Sequence, residues 1–145
     1  SIDSLSEADR QLLKKARKVT KQAYAPYSRF FVGAAALLQN GKTISGTNQE
    51  NASSPVGLCA ERVLLSATAS LYPGMPILTI AISYLNNKNG KSEHPAAPCG
   101  VCRQSLLEYE LRQQQPMRLV LGGMEGNIFP EQIWHNSTAA HIHYR

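Results

Sequence analysis

Apolar residues recur at helical spacing near the start of the chain, at Leu12, Leu13, Ala16, Val19 and Ala23, with Arg10 just before them and Lys14, Lys15, Arg17, Lys18 and Lys21 between them. This pattern predicts an amphipathic helix whose basic residues face solvent. Ser6 can cap it, with Asp9 three residues on giving a partial capping box. Pro26 disfavours helical geometry at Ala25, where the helix should fade. The periodicity then changes. Phe31 to Leu38 reads as a strand buried on both faces, Asn40-Gly41 as a hairpin turn, and Lys42 to Asn48 as the returning strand. Gly33 and Gly46 lie inside these strands, compatible with close backbone approach.

A second helix is predicted over Cys59 to Ser70, ended by Tyr72-Pro73-Gly74, and a third strand over Ile77 to Tyr84. Asn86 to Ala97 is polar and reads as a loop. A third helix runs from about Cys99 to Gln113 and a fourth strand from Met117 to Leu121, followed by turn-forming glycines. In the tail, Pro130 to Trp134 reads as a short strand end or a helical turn. Strands alternating with helices imply an α/β sandwich with a mixed sheet: an antiparallel hairpin first, with the later helical crossovers pairing in parallel.

The 145 residues suit a single domain, 1–145, and the 43% hydrophobic content is that of a globular chain. The longest apolar run, Phe30 to Leu38, holds a glycine and is too short to span a bilayer, so no membrane partner is expected. Ser1 to Arg10 shows no basic-then-apolar leader, and a cytoplasmic domain is the expectation. The net charge of +5 raises the question of nucleic acid. The basic residues crowd the first helix without interleaved aromatic stacking platforms, so a solvated helix face is preferred over a phosphate-binding stripe.

All three cysteines fall in two motifs, Cys59-Ala60-Glu61 and Pro98-Cys99-Gly100-Val101-Cys102. They are most simply read as metal ligands in a reducing compartment. Both motifs sit at predicted helix starts, where exposed N–H groups and the helix dipole favour thiolate. Zinc prefers four tetrahedral ligands, and a reactive site leaves one of them to water; Cys59, Cys99 and Cys102 supply three. A purely structural clip would need a fourth protein ligand, from His94 or from His135, His141 or His143 folding back. It would leave Glu61 unexplained. Two residues after Cys59, Glu61 can face the metal-held water without ligating, accepting a proton and delivering it to a substrate nitrogen. By itself it would be an ordinary glutamate at a helix start. Three thiolates outweigh the charge of the ion, so Arg62 or Arg103 is expected to donate hydrogen bonds to the sulfurs, Arg62 being preferred.

These segments resemble the cytidine deaminase family, over about Tyr24 to Tyr109. The resemblance is carried by Tyr27-Ser28-Arg29-Phe30-Phe31-Val32-Gly33-Ala34-Ala35, Gly46-Thr47-Asn48-Gln49-Glu50-Asn51-Ala52, Cys59-Ala60-Glu61-Arg62 and Pro98-Cys99-Gly100-Val101-Cys102-Arg103-Gln104. It implies a three-layer α/β/α sandwich with a mixed sheet of about five strands. The implied activity is zinc-dependent hydrolytic deamination of cytidine and deoxycytidine to uridine and deoxyuridine, with release of ammonia, as in pyrimidine salvage. Glu61 is then the catalytic proton carrier, and Zn2+ is held by Cys59, Cys99 and Cys102. Asn48 and Glu50 resemble the family's ribose-binding pair, Phe30 its pocket aromatic, and the Ala60 N–H its donor to the base carbonyl. The three-cysteine type is typically a homotetramer. Here Ala139 to Tyr144 lacks the usual Leu-Leu-Pro segment, and Tyr144 falls at the position of an aromatic that reaches into a neighbouring site.

Three rival readings differ in substrate or class. One is a deaminase of a modified cytosine nucleoside or nucleoside antibiotic. Another, an enzyme acting on polynucleotides, would need an aromatic-rich channel, and a polar pair fixed on the sugar would crowd a continuing strand. The last is a zinc-stabilised binding module without catalysis.

Overall fold

The computed structural model describes residues 2–87 and 99–125, together with the backbone of 128–132. Its first helix, α1 (Glu7–Val19), is capped by Ser6, whose hydroxyl accepts the Asp9 N–H at 3.3 Å. Leu12, Leu13, Ala16 and Val19 are buried, while Lys14, Lys15, Lys18 and Lys21 are exposed, as the solvated-face reading requires. The helix ends before Ala25. The Thr20 hydroxyl donates back to the Arg17 carbonyl at 2.7 Å, and a single 3-10 turn, Thr20–Gln22, closes it.

Strand β1 (Phe30–Leu38) and strand β2 (Thr43–Thr47) form the hairpin, with Gly41 at a φ of 83° in the turn. Helix α2 (Ala60–Leu71) follows, then β3 (Ile77–Asn86), α3 (Gly100–Gln113), β4 (Arg118–Gly122) and β5 (Ile128–Gln132). The sheet order is β2-β1-β3-β4-β5. This corrects the expectation that both helical crossovers pair in parallel. Only α3 joins a parallel pair, β3 with β4; the α2 crossover instead delivers β3 antiparallel to β1. The physical reason is edge quality. β1 is buried from Ala34 to Ala36 and offers an open apolar edge, whereas β2 begins at exposed Thr43 and stays at the margin. The Pro130 backbone lies in the other margin strand, β5, where a missing donor is tolerated.

Helix α1 covers one face of the sheet, packing Leu12, Leu13 and Ala16 on Ala35, Ala81 and Val120. A bidentate pair from Arg118 to Asp9, at 2.6 and 3.2 Å, ties that helix to β4. The other face is covered by α2 and α3, where Leu64, Leu65, Leu106 and Tyr109 meet Ala34, Ala36, Ile80, Ile82 and Leu119. Two glycines set the layer spacing. A Cβ on Gly33 would sit 2.2 Å from the Ala16 carbonyl oxygen, and one on Gly46 would sit 2.6 Å from that of Ala60. Neither strand accommodates a side chain there. Gly46 thereby presses the first turn of α2 against β2, which fixes where Cys59 and Glu61 emerge.

Candidate active site

One end of the sheet gathers the start of β1, the end of β2 and the end of β3. The helices α2 and α3 also begin there, each with a cysteine as its N-cap: Cys59 for α2 and Cys99 for α3. Their Sγ atoms are 3.8 Å apart, and Cys99 Sγ is 3.3 Å from Cys102 Sγ. The three sulfurs all lie within 4.8 Å of one another, and among the described residues they form the one cluster of three or more His, Cys, Asp or Glu ligand atoms so arranged. A tetrahedral zinc with bonds of about 2.3 Å has an S–S edge of about 3.8 Å, so the donor set fits this ion closely. His94, His135, His141 and His143, the alternative fourth ligands, lie outside the described residues.

The thiols differ in setting: Cys99 is exposed, Cys59 half-buried and Cys102 buried. Burial pushes the Cys59 thiol up. It also pushes Cys102 far up, reinforced by the charge of Glu61. Burial acts on Cys99 too, but hydrogen bonds from the Cys102 backbone N–H, the Cys102 and Cys59 thiols and the Val101 N–H outweigh it and hold that thiol below its ordinary value. The two N–H groups are otherwise partnerless donors of the first turn of α3.

Glu61 is 5% exposed and stands outside the ligand cluster. Burial raises its carboxyl above the usual range, opposed by its own backbone N–H, the Cys102 thiol and Arg62. Glu61 lines the same cleft as the three sulfurs. The Arg62 guanidinium reaches the loop ahead of α2. Its Nη2 donates to the Gly57 carbonyl at 2.8 Å rather than to a sulfur, tying the loop before α2 to the helix. Of the three sulfurs, that of Cys99 receives backbone N–H groups, from Cys102 and Val101.

Cys59, Cys99, Cys102 and Glu61 line a cleft of about 640 Å³ together with Phe30, Asn48, Glu50 and Ala60. Every site residue proposed from the sequence within the described residues, except Arg62, therefore meets in one cavity; Tyr144 lies outside them. Ala60 is the first residue of α2. The Asn48 side chain accepts the Val32 N–H and donates to the Phe30 carbonyl, both at 2.8 Å, which leaves its second amide hydrogen for a ligand. Oε1 of Glu50 accepts from the N–H groups of Tyr27 and Ser28 at 3.0 and 3.1 Å. Both residues therefore shape the segment leading into β1 as well as lining the cleft.

Sequence reasoning missed three contributors. Val32 and Ile82 line the cleft floor. Ser28 accepts the Phe30 N–H on its hydroxyl at 3.1 Å, a short-range turn that the Ser-x-Phe spacing could have suggested. Arg29, between them, adopts a φ of 57°, an uncommon conformation for a residue with a Cβ. Backbone bonds hold it on both sides, Arg29 N–H to the Ala25 carbonyl at 3.0 Å and Asn87 N–H to the Arg29 carbonyl at 3.1 Å.

A family model for the cytidine and deoxycytidylate deaminase zinc-binding region matches residues 6–115. The chain is 41% identical over 99 residues to a cytidine deaminase of Mycoplasma genitalium, covering 68% of this chain and 70% of that one. It is 38% identical over 121 residues to the cytidine deaminase of Halalkalibacterium halodurans, covering 83% and 84%. Among solved structures, the cytidine deaminase of Burkholderia pseudomallei superposes with a TM-score of 0.75 at 32% identity, covering 90% of this chain and 95% of that one. That of Mycobacterium tuberculosis gives 0.71 at 30%, covering 94% and 98%.

Proposed function

The chain belongs to the cytidine and deoxycytidylate deaminase family, and on that premise we propose that it hydrolyses cytidine and deoxycytidine to uridine and deoxyuridine, releasing ammonia. The observation that carries this reading is the meeting of three thiols, one non-ligating carboxylate and a polar, aromatic-walled recess in a single cleft. Cys59, Cys99 and Cys102 would hold zinc. When bound, the ion is a Lewis acid that lowers the pKa of water toward neutrality.

The chain's own groups do the rest. Glu61 takes up the proton, passes it to ring N3, and then serves the departing amino group. Phe30 packs on the pyrimidine, and the Ala60 N–H donates to the base carbonyl. Asn48 and Glu50 take the sugar hydroxyls; a donor and an acceptor suit that task. The small recess and the polar pair favour a free nucleoside over a polynucleotide.

Residues 1–145 are read as one deaminase domain that works as a homotetramer in which Tyr144 reaches a neighbouring site. The exposed Leu71, Val101 and Leu111 on α2 and α3 support association. Three reduced thiols set for metal support a cytoplasmic setting. Among the described residues, no helix is long and apolar enough to cross a membrane.

The test is absorbance-monitored conversion of cytidine, deoxycytidine and free cytosine, run with metal analysis. Turnover of the two nucleosides with about one zinc per chain is expected. Turnover of none of them would move the assignment to a modified cytosine nucleoside, or to a zinc module without catalysis.

A further inference from the structure

We propose that Tyr84 is a positioning residue for base recognition: its ring backs Phe30 and holds it as a fixed wall of the cleft. This rests on the proposed function, in which Phe30 packs on the pyrimidine. The two rings stack with centroids 4.8 Å apart and planes inclined by 22°. The β1–β3 register places Val32 opposite Tyr84 and Phe30 opposite Asn86, so Phe30 and Tyr84 are diagonal neighbours on one face of the sheet. That face also carries Val32 and Ile82 into the cleft. Phe30 lines the cavity and Tyr84 does not. Tyr84 is 8% exposed, yet it stands outside both core clusters.

The backbone of Phe30 is already fixed. Its N–H donates to the Ser28 hydroxyl at 3.1 Å, and its carbonyl accepts from Asn48 at 2.8 Å. These bonds set the direction of Cβ but leave both side-chain torsions open, on a residue that is only half-buried at a strand start. Tyr84 supplies the constraint that they lack. A ring already in its binding rotamer loses no ordering free energy on binding, whereas a ring dividing its time among rotamers weakens apparent affinity by the fraction that is competent. Tyr84 thus acts on substrate binding rather than on proton transfer.

The experiment compares wild type, Tyr84→Phe, Tyr84→Leu and Tyr84→Ala, then Phe30→Leu with and without Tyr84→Ala. Each is assayed for cytidine turnover and for zinc content. Tyr84→Phe keeps the flat partner, so its KM should stay nearer to wild type than that of Tyr84→Leu or Tyr84→Ala. Tyr84→Ala should raise KM by about five- to tenfold with kcat changed by less than about twofold and zinc per chain unchanged. In the Phe30→Leu background the same change should move KM by less than about twofold, since the pair acts as a unit.

An unchanged KM in Tyr84→Ala, or an equal rise in the Phe30→Leu background, would overturn the role. So would a fall in kcat accompanied by zinc loss. Should Tyr84→Ala fail to fold, Tyr84→Leu carries the test: it keeps bulk without a flat face, and a wild-type KM there overturns the proposal. A wild-type protein that does not turn over cytidine is recognised before any variant is made, and it removes the functional reading together with this one.

Discussion

The Asn48 side chain donates to the Phe30 carbonyl at 2.8 Å, so the residue assigned to the sugar also holds the residue assigned to the base. Its oxygen accepts the neighbouring Val32 N–H at the same distance. Replacing Asn48 with Ala removes both bonds at the mouth of β1. Stability should fall by about 2 kcal/mol, at about 1 kcal/mol per bond. KM for cytidine should rise by about tenfold or more, through the lost sugar contact and the loosened aromatic wall. Asn48→Asp keeps the acceptor for Val32 but turns an oxygen on the Phe30 carbonyl, and should not rescue. Thermal melts beside steady-state kinetics separate the two roles. A lower melting temperature with an unchanged KM would leave Asn48 a purely structural residue.

Glu61 sits outside the sulfur cluster but lines the same cleft. Glu61→Gln keeps the shape and the packing but cannot carry a proton. The expected outcome is a fall in kcat of about 10²- to 10⁴-fold with zinc per chain unchanged. Metal analysis and turnover on the same preparation check it. Loss of zinc in this variant would make Glu61 a ligand after all and reopen the structural-clip reading.

Stripping the metal should expose the three thiols in an order set by burial: Cys99 is exposed, Cys59 intermediate and Cys102 buried. After chelation and a short pulse of an alkylating reagent, mass spectrometry should find Cys99 labelled first and Cys102 last. Added zinc should protect all three and restore turnover. Uniform labelling with and without zinc would mean that these sulfurs do not hold the ion.

The zinc cluster was legible in the sequence because its information is local. Two motifs at helix starts bring cysteines to N-caps, and Gly46 can only be a glycine where α2 meets β2. The hairpin was legible for the same reason, since Asn40-Gly41 encodes the turn within two residues. The order of the sheet was not. Whether β3 joins β1 or β2 depends on which edge is more apolar once the hairpin has formed, a comparison between distant segments. The partner of Arg62 was equally hidden: a guanidinium on a flexible stem reaches either a sulfur or a carbonyl, and the position of Gly57 decides. Tyr84 carries no signal of its own, because its role exists only through the strand register that sets it beside Phe30.

Glu110, on α3, is 3% exposed and accepts the Met117 N–H on Oε2 at 2.7 Å, while its buried Oε1 has no partner among the described residues. Burial raises its carboxyl above the ordinary value of 4.5, against the pull of the Met117 N–H. The sign follows from the raised value: the folded state prefers the protonated form. The stabilising contribution is complete below 4.5 and is lost as pH climbs through the raised folded value. The ionised form of Glu110 is a buried, half-satisfied charge, and it is the form the fold disfavours. Glu110→Gln keeps an acceptor for Met117 and removes that charge, leaving a neutral amide as the lesser cost. The zinc-loaded variant should melt about 3 °C above wild type at pH 7.5, for a gain of about 1 kcal/mol. The difference should shrink as the pH is lowered toward 4.5, because the cost of burying the ionised form is lost below that value. Melting curves across that range check both parts. A variant that melts below wild type at pH 7.5 would show that another group pairs with the charge.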